Sequence, residues 1–325
     1  MGAGAIAFLI VALVVAPHLL PQERIAASSG IALWMASLAL RAVLSLSLVL
    51  VAVLYLPATE LFSLLTHWCF HAVLPFLTTH LGFDGHRLGD TAVIVPGLVI
   101  AASSLSVGFG LWRGARAVRR WLNRSSLGPG PASSVIVAGS EILVAAAGLR
   151  APRVVVSAGA LLRLDDAELA AGLEHEWGHV RRNHRSISVI AEICGALARL
   201  LPGTKRALAT LRLHLERDAD DYAVRQTGDQ LALASAICKA AQSKAHPQSA
   251  AAFASLAGSG VSERLRRLAH DSASSDSHLG TLLARFLATS MLFATLGLLA
   301  ATPTLGATGL EPVDRSAMNR AMDCD

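Results

Sequence analysis

Apolar segments constrain this 325-residue chain more than any other feature of its sequence. Segments 31–56, 91–112 and 281–302 are each long enough to cross the hydrocarbon core of a bilayer as a helix. Segment 4–20 is shorter, but no basic region precedes it, so we interpret it as a first transmembrane helix rather than a cleaved signal peptide. The sequence therefore predicts an α-helical membrane protein with about four transmembrane helices.

The composition agrees with a membrane location. Hydrophobic residues make up 53% of the chain and charged residues only 16%, far from the balance of an ordinary soluble domain. A further apolar segment, 61–77, is interrupted by His67, His71 and Pro75, so we predict that it is interfacial or re-entrant. The four cysteines form no C-x-x-C pair, which argues against a disulfide framework and against a thiolate metal site.

The arginines set the expected orientation. Five of them lie in 113–124, directly after the third apolar segment, and three more lie in 264–267, ahead of the fourth. Because loops rich in arginine stay on the cytoplasmic side, residues 113–280 are predicted to be cytoplasmic and the 57–90 loop extracytoplasmic. With four spans, both termini are predicted to lie outside. If 61–77 crosses the membrane after all, the N-terminus lies inside, and residues 113–280 remain cytoplasmic.

The basic residues also bear on location and partners. Only three of the 28 basic side chains are lysines, a bias typical of GC-rich bacterial genomes, so we expect a multi-pass protein of a bacterial plasma membrane. Anionic lipid head groups are the natural partners of the arginine run. No stacking aromatic residues alternate with the arginines, so a nucleic acid is not an expected partner.

The chain is divided by these segments into successive regions. We predict an N-terminal membrane region at 1–112, a basic linker at 113–130, a folded cytosolic domain at 131–275 and, after the last span, a short extracytoplasmic tail at 303–325. These boundaries place all the polar, patterned sequence in one domain.

Strand signals come first in that domain and helix signals follow. The β-branched runs 134–137 and 153–159 predict two strands, and 141–148 is a possible third. Asp165, followed three residues later by Glu168, is typical of a capped helix start. The domain is therefore expected to be of the α+β class.

The pattern H-E-x-x-H lies on the predicted helix that Asp165 starts. His175 and His179 are four residues apart, so both imidazoles project from one helix face and can share a tetrahedral zinc ion. Glu176 points beside such an ion, where a carboxylate can accept a proton from water. This pattern predicts a catalytic zinc site with Glu176 as its base.

A catalytic zinc ion needs a third protein ligand. Glu216 lies on a predicted helix that begins near Thr204, and Asp220 shares its face one turn later. We predict that Glu216 binds the metal and that Asp220 orients His175 by accepting its other ring N–H. Asp218 and Asp221 are interpreted as surface charges.

His184 is the alternative third ligand. In the longer motif H-E-x-x-H-x-x-G-x-x-H the third histidine falls ten residues after the first, and here Arg185 occupies that position. Arg182 stands where that motif has its glycine. We therefore interpret His184 as a polar residue at a helix end or as a hydrogen-bonding residue near the site.

These motifs together support a resemblance to known families. Segment 153–184, which ends in HEWGHVRRNH, and the later stretch ERDADDYAV resemble the metallopeptidase domain of the BlaR/MecR family, transducers of beta-lactam resistance. They are also similar to the related group that contains the HtpX protease and the CAAX prenyl endopeptidases. The similarity covers about 130–270, and the basic stretch VSERLRRL at 261–268 is similar to one that often closes such domains. The positions that match the shared motifs are His175, Glu176, His179, Glu216 and Asp220.

The resemblance implies a gluzincin-like zinc metalloendopeptidase with one zinc ion per chain. Its expected substrate is a cytosolic or membrane protein, such as a transcriptional repressor or the chain itself, cut in regulated proteolysis or signal transduction. About 23 residues follow the fourth span, too few for the penicillin-binding sensor domain of BlaR/MecR, so beta-lactam sensing is not expected. A quality-control protease similar to HtpX and a membrane transducer that does not cleave are the alternatives.

The sequence does not identify the residue that stabilises the oxyanion of peptide hydrolysis. Tyr222, His214 and His246 are the candidates, because each has a polar tip able to donate a hydrogen bond. The oligomeric state is also not predicted.

Overall fold

The computed structural model describes residues 2–55, 94–148, 152–243, 260–269 and 277–309, with residues 59, 64 and 68 between the first two ranges. Within these residues the chain forms ten α-helices: α1 Gly2–Val15, α2 Ala27–Tyr55, α3 Val95–Ser125, α4 Ala158–Arg163, α5 Asp166–Arg181, α6 His184–Leu197, α7 Thr204–Thr227, α8 Gln230–Ser243, α9 Val261–Ala269 and α10 His278–Gly309. The predictions for segment 61–77, for nearly all of the 57–90 loop and for residues 310–325 lie outside the described residues.

Three of the described helices are long and apolar enough to cross a membrane. They are Ala27–Tyr55, Val95–Ser125 and the part of α10 at His278–Ala301. The predicted first span is shorter: α1 has 14 residues, and a 3-10 turn that contains Pro17 follows it at Ala16–Leu19. Fourteen helical residues extend about 21 Å, less than the roughly 30 Å hydrocarbon core. The described residues thus contain three candidate spans, where the sequence predicted four.

The predicted basic linker at 113–130 is mostly helical. Residues 113–125 continue α3 without a break, and Ser126–Pro129 form strand β1. Arg113 lies over the Phe109 ring and Arg116 over the Trp112 ring, with 5.8 and 5.2 Å from guanidinium carbon to ring centroid. The continuous helix therefore connects the apolar segment directly to the sheet, and no flexible linker separates them.

A small sheet begins the folded domain. After β1, its strands are β2 Val135–Val137, β3 Val144–Ala147 and β4 Arg153–Ser157, in the spatial order β1-β2-β4-β3. β2 and β4 are parallel, and the two outer strands pair antiparallel to their neighbours. The strands at 134–137, 141–148 and 153–159 were expected, and β1 was not. Strand β3 is an edge of the sheet, a position that matters for the site.

Helices cover both faces of this sheet because its central strands are apolar on both sides. On one face, Val154 and Val156 pack with Leu173 of α5 and Ala236 of α8. On the other face, Val155 packs with the Val118, Trp121 and Leu122 side chains of α3. The sheet is held between the helix that carries H-E-x-x-H and the helix that continues an apolar span.

The folded domain also packs against α2. The buried side chains of Trp34 and Leu38 contact an apolar patch on α6 and α7, formed by Ala191, Ala207, Leu211 and Leu215. Gly30 of α2 lies so close to α7 that a β-carbon there would stand 2.4 Å from the His214 ring. The first half of α2 is therefore a packing partner of the domain.

Polar contacts reinforce this junction. Arg217 of α7 donates hydrogen bonds to the backbone carbonyls of Gln22, Glu23 and Ile25, in the connection between α1 and α2. Arg41 of α2 is buried and donates to the carbonyl oxygens of Val14 and Pro202 at 2.9 and 2.5 Å. Two arginines thus tie the apolar helices α1 and α2 to the domain through main-chain oxygens.

Candidate metal centre

The helix α5, which carries His175, Glu176 and His179, begins at a capping box. The Asp165 carboxylate accepts from the Glu168 N–H at 2.8 Å, and the Glu168 carboxylate accepts from the Asp165 N–H at 3.0 Å, which completes a capping box. Glu168 also accepts from Ser235 and Lys239 of α8, at 2.5 and 2.6 Å. The first turn of α5 is therefore fixed in itself and against α8, two turns ahead of His175.

Three donor atoms converge between α5 and α7. The Nε2 atoms of His175 and His179 are 3.2 Å apart, and the Glu216 carboxylate oxygens lie 3.6 and 3.5 Å from them. A tetrahedral zinc ion with bonds of about 2.0–2.1 Å requires ligand atoms about 3.3 Å apart. His175, His179 and Glu216 therefore fit a zinc ion, with one position left for water or substrate.

The other nitrogen of each imidazole is engaged elsewhere. His175 Nδ1 lies 2.9 Å from an Asp220 carboxylate oxygen. His179 Nδ1 lies 3.0 Å from Nδ1 of His184. Since a nitrogen that donates to a partner leaves the second nitrogen with a lone pair, both Nε2 atoms are set up to bind a metal.

Arg264 of α9 neutralises the acidic side of the site. Its guanidinium donates to Glu216 at 2.8 Å and to both Asp220 oxygens at 2.6 and 2.8 Å, and it is 7% exposed. Burial opposes ionisation of Glu216, but the His175 ring and Arg264 outweigh it and lower the pKa of Glu216 to about 2. The ligand carboxylate therefore stays ionised at neutral pH, the form that binds a metal.

The pKa values of the two imidazoles are shifted in opposite directions. Burial would lower the pKa of His175, but the carboxylates of Asp220 and Glu216 raise it to about 10. Burial lowers the pKa of His179 to about 3, and the charge of His175 adds to this effect. In the metal-free protein His175 therefore carries an extra proton, which a metal ion would displace from Nε2, while His179 is neutral and ready to coordinate.

Glu176 lies beside the three donor atoms, on the side of the sheet. Its carboxylate accepts a hydrogen bond from the Ala146 N–H of edge strand β3, at 2.7 Å. Burial raises the pKa of the Glu176 carboxyl, which makes the carboxylate a stronger base. Arg185 of α6 donates to the Gly148 carbonyl at 2.5 Å, so the outer edge of β3 and the residue after it are held by both α5 and α6.

A cavity of about 670 Å³ opens at these residues. His175, Glu176, Glu216 and Arg264 line its polar end. The remaining wall is mostly apolar and comes from β3, α8 and the turn between α4 and α5, with the side chains of Val144, Leu164, Leu233, Ala236, Ile237 and Ala240. The dimensions are those of a cleft that accepts a substrate rather than those of a closed structural metal site.

The three candidates for oxyanion stabilisation are not brought to the cleft within the described residues. Tyr222 packs against Gly178 on the far side of α5, and its hydroxyl accepts from Arg181. His214 is fully buried against α2, where its ring contacts Gln22. His246 lies outside the described residues. Tyr222 and His214 are therefore residues of helix packing, and their direction could not be predicted because it depends on contacts between helices.

The structure also corrects the interpretation of Asp218. It was expected to be a surface charge, but it is 5% exposed and accepts from Arg182 and from His184. Asp221 is nearer the expectation, since it is partly exposed and pairs with Arg267 at 3.1 Å. His184 begins α6 and makes a hydrogen bond near the site, so it has both of the roles expected for it.

Two imidazoles and a carboxylate converge on one point, which is the donor set of a metal-dependent hydrolase. Glu176, which is not one of the three donors, lies beside them in the cleft, where such an enzyme has its base. Residues 116–211 match the model of peptidase family M48, a family of zinc metallopeptidases. The matched segment contains His175, Glu176 and His179 and ends before Glu216. It supports a metallopeptidase function for the chain. No curated protein and no solved structure gives a significant match.

Proposed function

We propose that this protein is an integral-membrane zinc endopeptidase that hydrolyses a protein substrate at the cytoplasmic face of a bacterial plasma membrane. The observation that carries the proposal is the convergence of His175, His179 and Glu216 at the separations zinc requires, beside the free base Glu176. The match to peptidase family M48 and the three apolar helices support it.

Zinc bound at this site would supply Lewis acidity, which polarises a substrate carbonyl and makes a nearby water more acidic. The chain provides the rest. Glu176 accepts the proton of the attacking water and delivers it to the leaving amine. The Ala146 N–H holds the Glu176 carboxylate in place, and Arg264 keeps Glu216 ionised. Glu176 is the residue on which the chemical step depends.

The edge strand β3 offers main-chain groups with which an extended substrate can pair. In an antiparallel edge strand alternate residues direct both N–H and C=O away from the sheet, and Ala146 does so toward Glu176 and Arg185. Val144, two residues earlier, has the same orientation and lines the cleft. An extended substrate segment pairs with the main chain at Val144, because the Ala146 N–H and C=O are already engaged by Glu176 and Arg185, and this pairing gives limited sequence selectivity.

The membrane association explains which substrates reach the site. Arg113 and Arg116 are exposed on α3 just past its apolar part, where they suit anionic lipid head groups. Because α3 continues into the sheet, the cleft is held at a fixed distance from the bilayer. Proteins at the membrane surface, including a membrane-associated repressor or a second copy of this chain, are the expected substrates, in regulated proteolysis or signal transduction.

Cleavage of an unfolded protein by the purified full chain tests the proposal. Zinc-loaded wild type is expected to cleave, and Glu176→Gln is expected to lose about 10²–10⁴-fold in rate while it retains zinc. Glu174→Gln, the same change two residues earlier on α5, is the matched control and should keep its activity. Zinc binding with no cleavage by wild type would support a transducer that does not cleave, and equal rates for wild type and Glu176→Gln would also overturn the proposal.

A further inference from the structure

We propose that His184 and Asp218 form a hydrogen-bonded chain that orients the metal ligand His179, so that both are positioning residues of the metal centre. This inference rests on the proposed function, since it concerns the same metal site. It assigns a role to a histidine that fits no ligand register and to an acidic residue first interpreted as a surface charge.

The contacts form an unbroken line from the metal-facing imidazole to a carboxylate. His179 Nδ1 lies 3.0 Å from His184 Nδ1, and His184 Nε2 lies 3.0 Å from an Asp218 carboxylate oxygen. The His179 and His184 rings are nearly perpendicular, with centroids 5.0 Å apart. His184 is 2% exposed and Asp218 is 5% exposed, so water does not compete for these contacts.

Local backbone geometry places His184 in this line. Asn183, between α5 and α6, has a left-handed conformation with φ 55°, which asparagine adopts more readily than most residues. The chain therefore turns sharply after α5, and His184, the first residue of α6, lies against His179 instead of continuing along the helix. Arg182 donates to both oxygens of Asp218, at 2.9 and 3.0 Å, and fixes the far end of the line.

The hydrogen bonds are consistent with only one arrangement of protons when His179 Nε2 faces the metal. His179 then donates its Nδ1 proton to His184 Nδ1, and His184 donates its Nε2 proton to Asp218. His175 is oriented differently, by direct contact with Asp220. The two histidine ligands thus have separate carboxylate supports, one direct and one through an imidazole.

The hydrogen bonds from His179 through His184 to Asp218 predict that the effect of Asp218 on zinc binding depends on His184. Asp218 influences the metal only through His184, because the Asp218 carboxylate has its contacts to His184 and Arg182 and lines no part of the cleft. If Asp218 served only as an ion-pair partner of Arg182, its removal would have the same effect whether or not His184 is present.

The test is the zinc affinity of the full chain in detergent, measured by competition with a chelator. We expect His184→Leu and Asp218→Asn each to weaken zinc binding by roughly 10- to 100-fold. His184→Asn should lose less than His184→Leu, because its side-chain oxygen can still accept from His179 Nδ1. In the His184→Leu background, Asp218→Asn should cause no further loss. The matched control is Asp221→Asn, on the same helix, which should bind zinc as wild type does.

Two further readings separate a positioning role from a change of fold. The metal-free thermal midpoint of His184→Asn should stay close to that of wild type, and the cobalt-substituted protein should show an altered absorption spectrum. Wild-type zinc affinity in His184→Leu, or equal losses from Asp218→Asn with and without His184, would overturn the inference. Wild type that binds no zinc would instead overturn the proposed function, so the two failures are distinguishable.

Discussion

Arg264 is the residue on which the charge balance of the site depends. It is the cation that contacts both Glu216 and Asp220, and all three side chains have little exposure. A buried carboxylate that loses its partner costs about 3–5 kcal/mol. We therefore expect Arg264→Leu to lower the thermal midpoint of the metal-free protein strongly, while zinc, which would bind Glu216, restores part of the loss.

Thermal unfolding with and without zinc checks this expectation. The rise in midpoint on zinc addition should be larger for Arg264→Leu than for wild type. Arg266→Leu, two residues away on α9 and exposed, is the control and should respond to zinc as wild type does. An equal zinc-induced rise in all three proteins would contradict the assigned role of Arg264.

At the residue scale, the sequence predicts which side chains share a helix face, because that depends only on their spacing along the chain. His175 and His179 are one helical turn apart, and so are Glu216 and Asp220, so each pair had to share a helix face. Arg264 and the partnership of His184 with Asp218 depend on contacts between helices distant in the chain. The resemblance of 261–268 to a closing basic stretch was the one signal that pointed toward Arg264.

At the scale of elements, Glu168 joins α5 to α8 through charge. Burial would raise the pKa of the Glu168 carboxyl, but hydrogen bonds from Lys239, Ser235 and the Asp165 N–H outweigh it and hold the pKa below its usual range. A carboxyl with a lowered folded-state pKa adds stability above its unfolded-state pKa and loses it as the pH falls through the folded-state pKa.

Glu168→Gln tests this link, because it keeps the capping geometry and removes the charge. The variant should melt below wild type at neutral pH, and the difference should shrink as the pH falls below about 4.3. Thermal midpoints measured from pH 7 to pH 3 give the comparison. A difference that does not change over this range would show that the charge of Glu168 is not involved.

The crossing of α2 and α7 depends on a residue without a side chain. A β-carbon at Gly30 would stand 2.4 Å from the His214 ring, so Gly30→Ala is expected to push the two helices apart and lower both thermal midpoint and peptidase rate. Gly108→Ala in α3 is the matched control, since nothing lies within 4 Å of its β-carbon position. Equal behaviour of the two variants would show that this close approach is not needed.

At the scale of the whole molecule, the apolar segments were visible in the sequence, but their lengths as helices were not. Hydropathy continues through Pro17, whereas a helix does not, and this shortens α1. Strand β1 was missed because Gly128 and Pro129 are poor strand formers, and it exists by pairing with β2. Residues 113–125 were predicted as a linker because their charges give them low hydropathy. They continue the helix α3, and their apolar face packs on the sheet.

The packing of the domain against α2 gives a prediction for its isolated form. A fragment of residues 131–275 would expose the apolar patch of Ala191, Ala207, Leu211 and Leu215 that Trp34 and Leu38 cover in the full chain. Large exposed apolar patches cause association. We expect the fragment to aggregate on size-exclusion chromatography, in contrast to the full chain in detergent, and a soluble monomer that unfolds cooperatively would contradict this.

Arg217 is the neighbour of Glu216 on α7, and it is bound to the backbone of the connection between α1 and α2. The consequence is mechanical. A tilt or slide of α2 would therefore pull on the same helix turn that presents Glu216 toward His175 and His179. The position of an apolar helix and the spacing of the three donor atoms are in this way coupled through one side chain.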